Sequence, residues 1–311
     1  MVLRTCRILT AAVVLVTAAA ALPAAAPFLS WESAEPDLPD SLIIGDTLGF
    51  MPFPDAVLFP HFLADPLYPR FKLLIADTRQ NSLEYHEGEP VGDTKYFLNM
   101  GGKKSFFRLF PASDPELGLQ GEIGFGFNSM VDTYRGTDFI GWDGVMHLAV
   151  ALRPYDWLAL QAGRYHLSSH RADEYLDNSG SMAVRGFVRD SYGWAVMLLP
   201  TEGLRCYYKE DEAYFQRPSD IRDYPRKIQA GFELDNNDFL GGVWTLAVDT
   251  VFYQENDWQL SYNVALVRHL GPEKGQGGVR IGAALYNGRV PIADFFEQRE
   301  VYLSIGGWID S

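Results

Sequence analysis

The feature that most restricts this chain is alternation with a period of two residues. From Leu117 to Asn128 the odd positions read Leu, Leu, Gly, Ile, Phe, Phe, and the even positions read Gly, Gln, Glu, Gly, Gly, Asn. Successive side chains of a strand point to opposite faces, so this segment has one apolar face and one polar face. The pattern recurs. Ile228, Ala230, Phe232 and Leu234 form one such set; Leu260, Tyr262, Val264 and Leu266 a second; Val279, Ile281, Ala283 and Leu285 a third; Trp244, Leu246, Val248 and Phe252 a fourth. No segment beyond the N-terminus carries a helical stripe of comparable length. Twelve strands are predicted, near residues 70–76, 94–110, 117–130, 141–153, 157–170, 188–200, 203–212, 226–236, 242–254, 258–270, 278–287 and 299–309. In strand 94–110 the outward parity passes from Tyr96/Leu98/Met100 to Phe107/Leu109, and Gly101-Gly102 is the expected bulge.

The N-terminus has a different character. Arg4 and Arg7 precede an Ala/Val/Leu-rich run from Ile8 to Leu22, with A-x-A patterns at Ala19–Ala21 and Ala24–Ala26. That order is the signature of a secretory signal peptide, assigned here to residues 1–26. A retained membrane helix over Ile8–Leu29 is the alternative, and Pro23 and the high alanine content speak against it. Cys6 lies before the apolar run, so it is not a lipoprotein attachment site, and Cys206 is the only cysteine after processing. An intramolecular disulfide and a cysteine-based metal site are thereby excluded. The full chain has a net charge of −14, and loss of Arg4 and Arg7 takes it to about −16. Such acidity argues against a nucleic-acid partner.

Connection lengths sort the strands. Short connections fall at Pro154–Asp156, Pro200–Glu202 and Asn237–Gly241; longer polar ones fall at Asp77–Asp93, Arg171–Phe187, Ala213–Pro225 and Gly288–Gln298. An outer-membrane barrel has short periplasmic turns, long external loops and, in bacterial single chains, an even strand number. The expected fold is therefore all-β, an antiparallel transmembrane β-barrel of about twelve strands over residues 67–311, preceded by a periplasmic segment at residues 27–66. The polar face, with Arg108, Glu122, Arg153, Arg205, Lys209, Glu233, Asp249 and Arg280, would line a narrow or plugged lumen. In a soluble sandwich the same charges would be wetted outside. The closing strand places Val301, Leu303 and Ile305 on lipid and Trp308 near the interfacial belt. The expected location is the outer membrane of a Gram-negative-type bacterium.

Three blocks carry a family resemblance: LFPHFLADPLYPRF at Leu58–Phe71, YHLSSHRADEY at Tyr165–Tyr175 and YNGRVPIADFFEQREVYLSIG at Tyr286–Gly306. Together they resemble the bacterial family known as domain of unknown function 1207. The sequence departs from that pattern at Ala293-Asp294, where the family has a small residue followed by an amide. The resemblance implies an outer-membrane barrel and brings no activity with it.

The second block concentrates the candidate chemistry. His166, Ser168 and His170 share one strand face with Leu158, Leu160 and Ala162, which puts them on the lipid side near the external rim. A His two residues from a Ser can take the hydroxyl proton while the oxygen attacks an ester carbonyl. This pattern resembles the His-x-Ser-Asn arrangement of outer-membrane phospholipase A and of lipid A deacylases, which implies His166 as base and Ser168 as nucleophile. Ser169 stands where the Asn would follow, and the group orienting the base is left open, with Asp173 and Glu174 as loop candidates. Alternatively, Arg164, His166, His170, Asp173 and Glu174 form a binding network at the rim beneath lipopolysaccharide head groups. His166 and His170 are roughly 13 Å apart on a strand, so a shared metal is not expected.

The leading expectation is a structural or interaction role at the cell envelope. An outer-leaflet lipid or acyl-ester hydrolase and a narrow channel are the alternatives. The expected partners are outer-membrane lipid and lipopolysaccharide, with the barrel-insertion machinery during assembly and no nucleic acid. No cofactor is called for, although divalent cations could gather at the acidic loops. No P-loop, dinucleotide-binding or zinc-protease pattern occurs.

Overall fold

A computed structural model describes residues 42–44, 47–85, 89–133, 138–179, 186–236, 242–270 and 278–309. The signal peptide assigned to residues 1–26 lies outside the described residues. The strands are β1 (Leu42–Ile44), β2 (Leu48–Pro52), β3 (Phe71–Gln80), β4 (Thr94–Pro111), β5 (Gly118–Asp132), β6 (Asp138–Tyr155), β7 (Leu158–Arg171), β8 (Phe187–Thr201), β9 (Leu204–Arg217), β10 (Arg226–Asn236), β11 (Trp244–Tyr253), β12 (Leu260–Leu270), β13 (Val279–Arg289) and β14 (Arg299–Ile309). Each of β3 to β14 pairs antiparallel with its sequence neighbours, and β14 returns to β3 with Ile305 opposite Ile75 and Trp308 opposite Lys72. The result is a closed barrel of 12 strands. The β1–β2 hairpin adds to it where β3 has not yet begun, with Leu48–Pro52 opposite Phe107–Pro111 of β4.

The two faces of this wall are inverted relative to a soluble protein. Leu73, Ile75, Phe125, Leu148, Val150, Leu303 and Ile305 are outside, and Ile305 is 60% exposed. Lys95, Glu122, Asp143, Glu233, Asp249, Arg280 and Glu300 are inside and buried. A soluble sandwich would bury the first set and wet the second. Only a hydrocarbon surround makes a continuous apolar outer band favourable, because closed barrels alone satisfy every strand edge in lipid.

The lumen is filled from both ends. Residues 58–66, expected in the periplasmic segment, instead run inside the wall together with residues 67–69, and Leu58, Phe59, Phe62, Leu63 and Ala64 are all buried. These residues carry no strand periodicity because they have no strand neighbour; wall side chains hydrogen-bond to their backbone instead. The N–H groups of Leu58 and Leu63 donate to the carboxamide of Gln120 and the carboxylate of Glu233. Asn263 donates to the Ala64 carbonyl at 2.7 Å, and Lys72 and Asn99 both donate to the Pro66 carbonyl. Phe62 stacks on Tyr207 with ring centroids 3.7 Å apart. From the opposite end, the connection between β13 and β14 folds inward, burying Val290, Ile292, Ala293, Asp294, Phe295 and Phe296. Where the two fillings meet, Asp65, Pro66, Pro291 and Arg289 border a cavity of about 20 Å³, room for about one water.

Several expectations change in detail. The parity switch in β4 lies at Phe106, where the register shifts between Ser105 and Phe107; Gly101-Gly102 continues the ladder unbroken. Trp308 points into the lumen and is 2% exposed, so it is no belt residue. Its even position on β14 matches inward Tyr302 and Ser304. Arg153 sits at the rim and donates to the Asp156 carbonyl at 3.0 Å, while the other charges expected on the polar face line the interior.

Replacing Ile305 with Arg should lower the unfolding free energy in lipid vesicles by about 2–4 kcal/mol, the cost of a cation on the lipid face near mid-membrane. Denaturant titration followed by tryptophan fluorescence measures it. A change within about 0.5 kcal/mol, ordinary for a water-exposed site, would contradict the membrane assignment of this face.

Candidate active site on the outer wall

β7 rises from the short turn at residues 156–157 to the end of the barrel that carries the longer connections. Its inward residues include Gln161, which donates to Glu122 at 2.7 Å, and Tyr165, which donates to Gln161 at 3.0 Å. The intervening positions Arg164, His166, Ser168 and His170 therefore face out. Strand parity fixes this, and the inward hydrogen bonds lock it.

His166 lies between Met146 on β6 and Asp190 on β8. Its Nδ1 is 2.6 Å from Asp190 Oδ1, and the two side chains are 37% and 26% exposed. With Asp190 ionised, Nδ1–H donates to the carboxylate, which leaves Nε2 as an acceptor directed away from the pair. Ser168 stands two residues along on the same face, about 6.6 Å away between Cα atoms. Among the described hydrogen bonds none joins it to His166; catalytic contacts of this kind often close only with substrate in place. Ser168 is opposite Gly144 on β6. A Cβ at Gly144 would come 3.2 Å from Ser168 Oγ, so the glycine leaves the flank of the hydroxyl open. Trp142 borders the opening, stacked on Phe127 at 5.5 Å and against His170 at 4.6 Å.

The remaining predicted residues do not converge on His166. Arg164 donates to the Tyr214 hydroxyl at 2.7 Å, and His170 packs on Trp142. Asp173 and Glu174 are exposed in the first turn of a short helix, α1 (Asp173–Ser179). That helix docks through Tyr175, whose hydroxyl donates to the Glu84 carbonyl at 3.0 Å and whose burial pushes the phenol pKa up. The residue that sequence reasoning missed is Asp190. A signal existed: Val188, Tyr192, Trp194, Val196 and Leu198 share its parity, and one carboxylate interrupts that apolar set.

Behind the outward site the wall is pinned. Ser169 points inward and accepts from the Asp294 N–H at 2.9 Å. Asp143 accepts from the Ala293 N–H at 3.0 Å, and Arg171 pairs with Asp294 at 3.0 Å. The inward-folded connection thus braces β6 and β7 on the side opposite His166 and Ser168.

The sequence family described as Protein of unknown function (DUF1207) matches residues 42–309. The chain belongs to this family. The DUF1207 barrel is similar to outer membrane phospholipase A from Escherichia coli, with a TM-score of 0.53 at 14% identity, covering 82% of this chain and 95% of that one. The Salmonella typhi outer membrane phospholipase dimer with bound calcium gives the same TM-score, 0.53, at 14% identity, with coverage of 82% and 95%. A Rhodopseudomonas blastica porin aligns more loosely, at a TM-score of 0.33 and 8% identity over 78% of this chain and 97% of that one. At these identities the phospholipase likeness establishes the barrel fold. A comparison with curated proteins gives no match. The three family blocks now have places: the first fills the lumen, the second is the upper part of β7 with α1, and the third supplies the brace. Ala293-Asp294 is the part of the brace that reaches Asp143, Ser169 and Arg171.

The adjacent serines should separate in a stability measurement. Ser169→Ala removes the acceptor of a buried N–H and should cost about 1–3 kcal/mol. Ser168→Ala should stay within about 0.5 kcal/mol of the native chain. Equal losses would mean that Ser168 is a structural residue.

Proposed function

We propose that this protein is an outer-membrane enzyme that cleaves acyl esters of lipid at its outer wall. Ser168 is the nucleophile, His166 the base and Asp190 the group that orients it. The observation that carries this reading is the 2.6 Å contact of Asp190 with His166 on the lipid-facing side, one alternation from Ser168. A polar hydroxyl, imidazole and carboxylate have no structural need to be there, since that face is otherwise best filled by apolar groups. The likeness to outer membrane phospholipase A points to the same chemical class.

The chemistry follows from the three groups. His166 Nε2 takes the proton as Ser168 Oγ attacks the ester carbonyl. The tetrahedral intermediate collapses, the alcohol leaves with the proton from the imidazolium, and the acyl group stays on Ser168. Water then attacks with His166 again as base, and the fatty acid departs. Asp190 holds the tautomer and steadies the imidazolium while the charge exists. Gly144 leaves room for the acyl ester beside Oγ, and the Trp142–Phe127 stack offers an apolar surface for the chain. The filled lumen speaks against the channel alternative. A purely structural role is the competing reading.

In detergent–lipid micelles, the refolded full chain should release fatty acid from phospholipid or lipopolysaccharide. Ser168→Ala or His166→Asn should reduce release at least 10³-fold, and Asp190→Ala about 10²–10⁴-fold, with the folded-versus-boiled gel shift retained. Absence of release by the native chain from every lipid, with calcium and with chelator, would overturn the proposal. So would native rates in Ser168→Ala.

A further inference from the structure

Among the described residues of the outer wall, Arg164 is held by two aromatic rings where other cations are held by carboxylates; nearer the rim, Arg217 lies over the single ring of Phe215. Arg226 is paired with Glu210 at 2.6 Å, and Lys104 with Asp55 at 2.6 Å. Arg164 has no carboxylate within ion-pairing distance among the described residues. Asp190, the nearest acid on the adjoining strand, is engaged by His166. Yet the guanidinium is held in place. It lies 5.3 Å from the ring centroids of both Tyr192 and Tyr214, and one of its nitrogens donates to the Tyr214 hydroxyl at 2.7 Å. The two rings are 4.8 Å apart and form one aromatic floor.

The register shows where this places the charge. Arg164 is opposite Tyr192, one alternation below His166. Tyr214 occupies the bulge of β9 between Ala213, opposite Ser191, and Phe215, opposite Asp190. The side chain that reaches Tyr214 therefore leans toward the rim and across β8. The guanidinium thus lies over β8 toward β9, on the side away from Gly144 and Ser168. Most of its N–H groups remain open toward the outside. A guanidinium presents a planar fork that matches two oxygens of a phosphate, and stacking on aromatic faces orients that fork beforehand.

We propose that Arg164, on its Tyr192–Tyr214 floor, binds the phosphate of the acyl lipid whose ester is cleaved at Ser168. The lipid lies across β9 to β6, with its phosphate over β8 and β9 and its ester over β7 beside Gly144. This proposal deepens the hydrolase reading and rests on it. It makes the substrate class a phosphate-bearing acyl lipid, a class that includes glycerophospholipids and the acylated, phosphorylated anchor of lipopolysaccharide.

The test has a kinetic arm and a binding arm. In the kinetic arm the full chain hydrolyses dihexanoylphosphatidylglycerol, lipid A and, as an uncharged ester, dihexanoylglycerol. Arg164→Gln should lower the ratio of phosphate-lipid to dihexanoylglycerol kcat/KM at least 10-fold, mainly through KM, and Arg164→Lys should recover part of it. In the binding arm, Ser168→Ala protein is titrated calorimetrically with the same three lipids. Arg164→Gln in that background should weaken the phosphate lipids at least 10-fold. A loss confined to dihexanoylphosphatidylglycerol or to lipid A assigns the phosphate to that source. Equal weakening for dihexanoylglycerol, or no weakening, overturns the proposal. If the native chain hydrolyses nothing while binding still depends on Arg164 and phosphate, the hydrolase reading fails and the phosphate site stands.

Discussion

The structure depends on how its enclosed charges are compensated. Lys95 with Glu300, Arg205 with Glu233 and Lys103 with Glu122 are ion pairs inside the wall, and Arg189 and Arg289 converge on Glu255 at 2.8 and 3.0 Å. A charge in a water-poor lumen is costly unless it is both paired and hydrogen-bonded. Side chains of the wall cannot meet that need alone, because an ion pair leaves donors and acceptors over. At two of these pairs the backbone of residues 58–69 adds a partner. Glu233 takes Arg205 from the neighbouring strand and an N–H from Leu63. Lys103 meets Glu122 and also the Phe59 carbonyl. The filling segment is thus held by the charges that it helps to neutralise, and it has no need of regular secondary structure.

The same rule explains why the barrel's outside is informative. On β13, β14 and β3 the outward positions in the middle of the wall are Ile281, Ala283, Leu285, Leu303, Ile305, Leu73 and Ile75. On β7, β8 and β9 the corresponding parity admits Arg164, His166, Ser168, Asp190, Glu210 and Glu212. Lipid-facing polar groups carry a free-energy cost, and these six stand together in one sector of the circumference, apart from the Lys104–Asp55 pair on β4. Their partners are local: Asp190 for His166, Arg226 for Glu210, and two tyrosines for Arg164. A wall built only to close would have no reason to concentrate them there.

Much of the fold was legible because period-two alternation determines both strand position and side-chain direction. The β13 and β14 ladders, for example, follow from the alternation of Val279–Leu285 and Val301–Ile305. What escaped was set by contacts between distant segments. Residues 58–69 show no period because their neighbours are side chains of β4, β5, β10 and β12. The bulge at Phe106 shifts parity without a glycine to announce it, since the aromatic side chain at the bulge can point to lipid. Trp308 was misplaced because an aromatic residue near a strand end suggests the belt, whereas its even position already placed it with Ser304. In the site, His166 and Ser168 could be read from one strand. Asp190 is on the next strand, and only the β7–β8 register brings it opposite His166.

The neighbouring pair Ser168-Ser169 shows how a single strand serves both needs. Ser169 and Arg171 turn inward and hold the connection that seals the lumen, while Ser168 and His170 turn outward. A side chain on the outer face keeps its position only if the strand beneath it cannot twist or slip, and a register slip of one residue would exchange Ser168 for Ser169. The inward contacts at Asp143, Ser169 and Arg171 oppose that slip at the height of the outward pair. The geometry of His166, Ser168 and Asp190 is therefore set by the interior, through hydrogen bonds made by residues that never face the lipid.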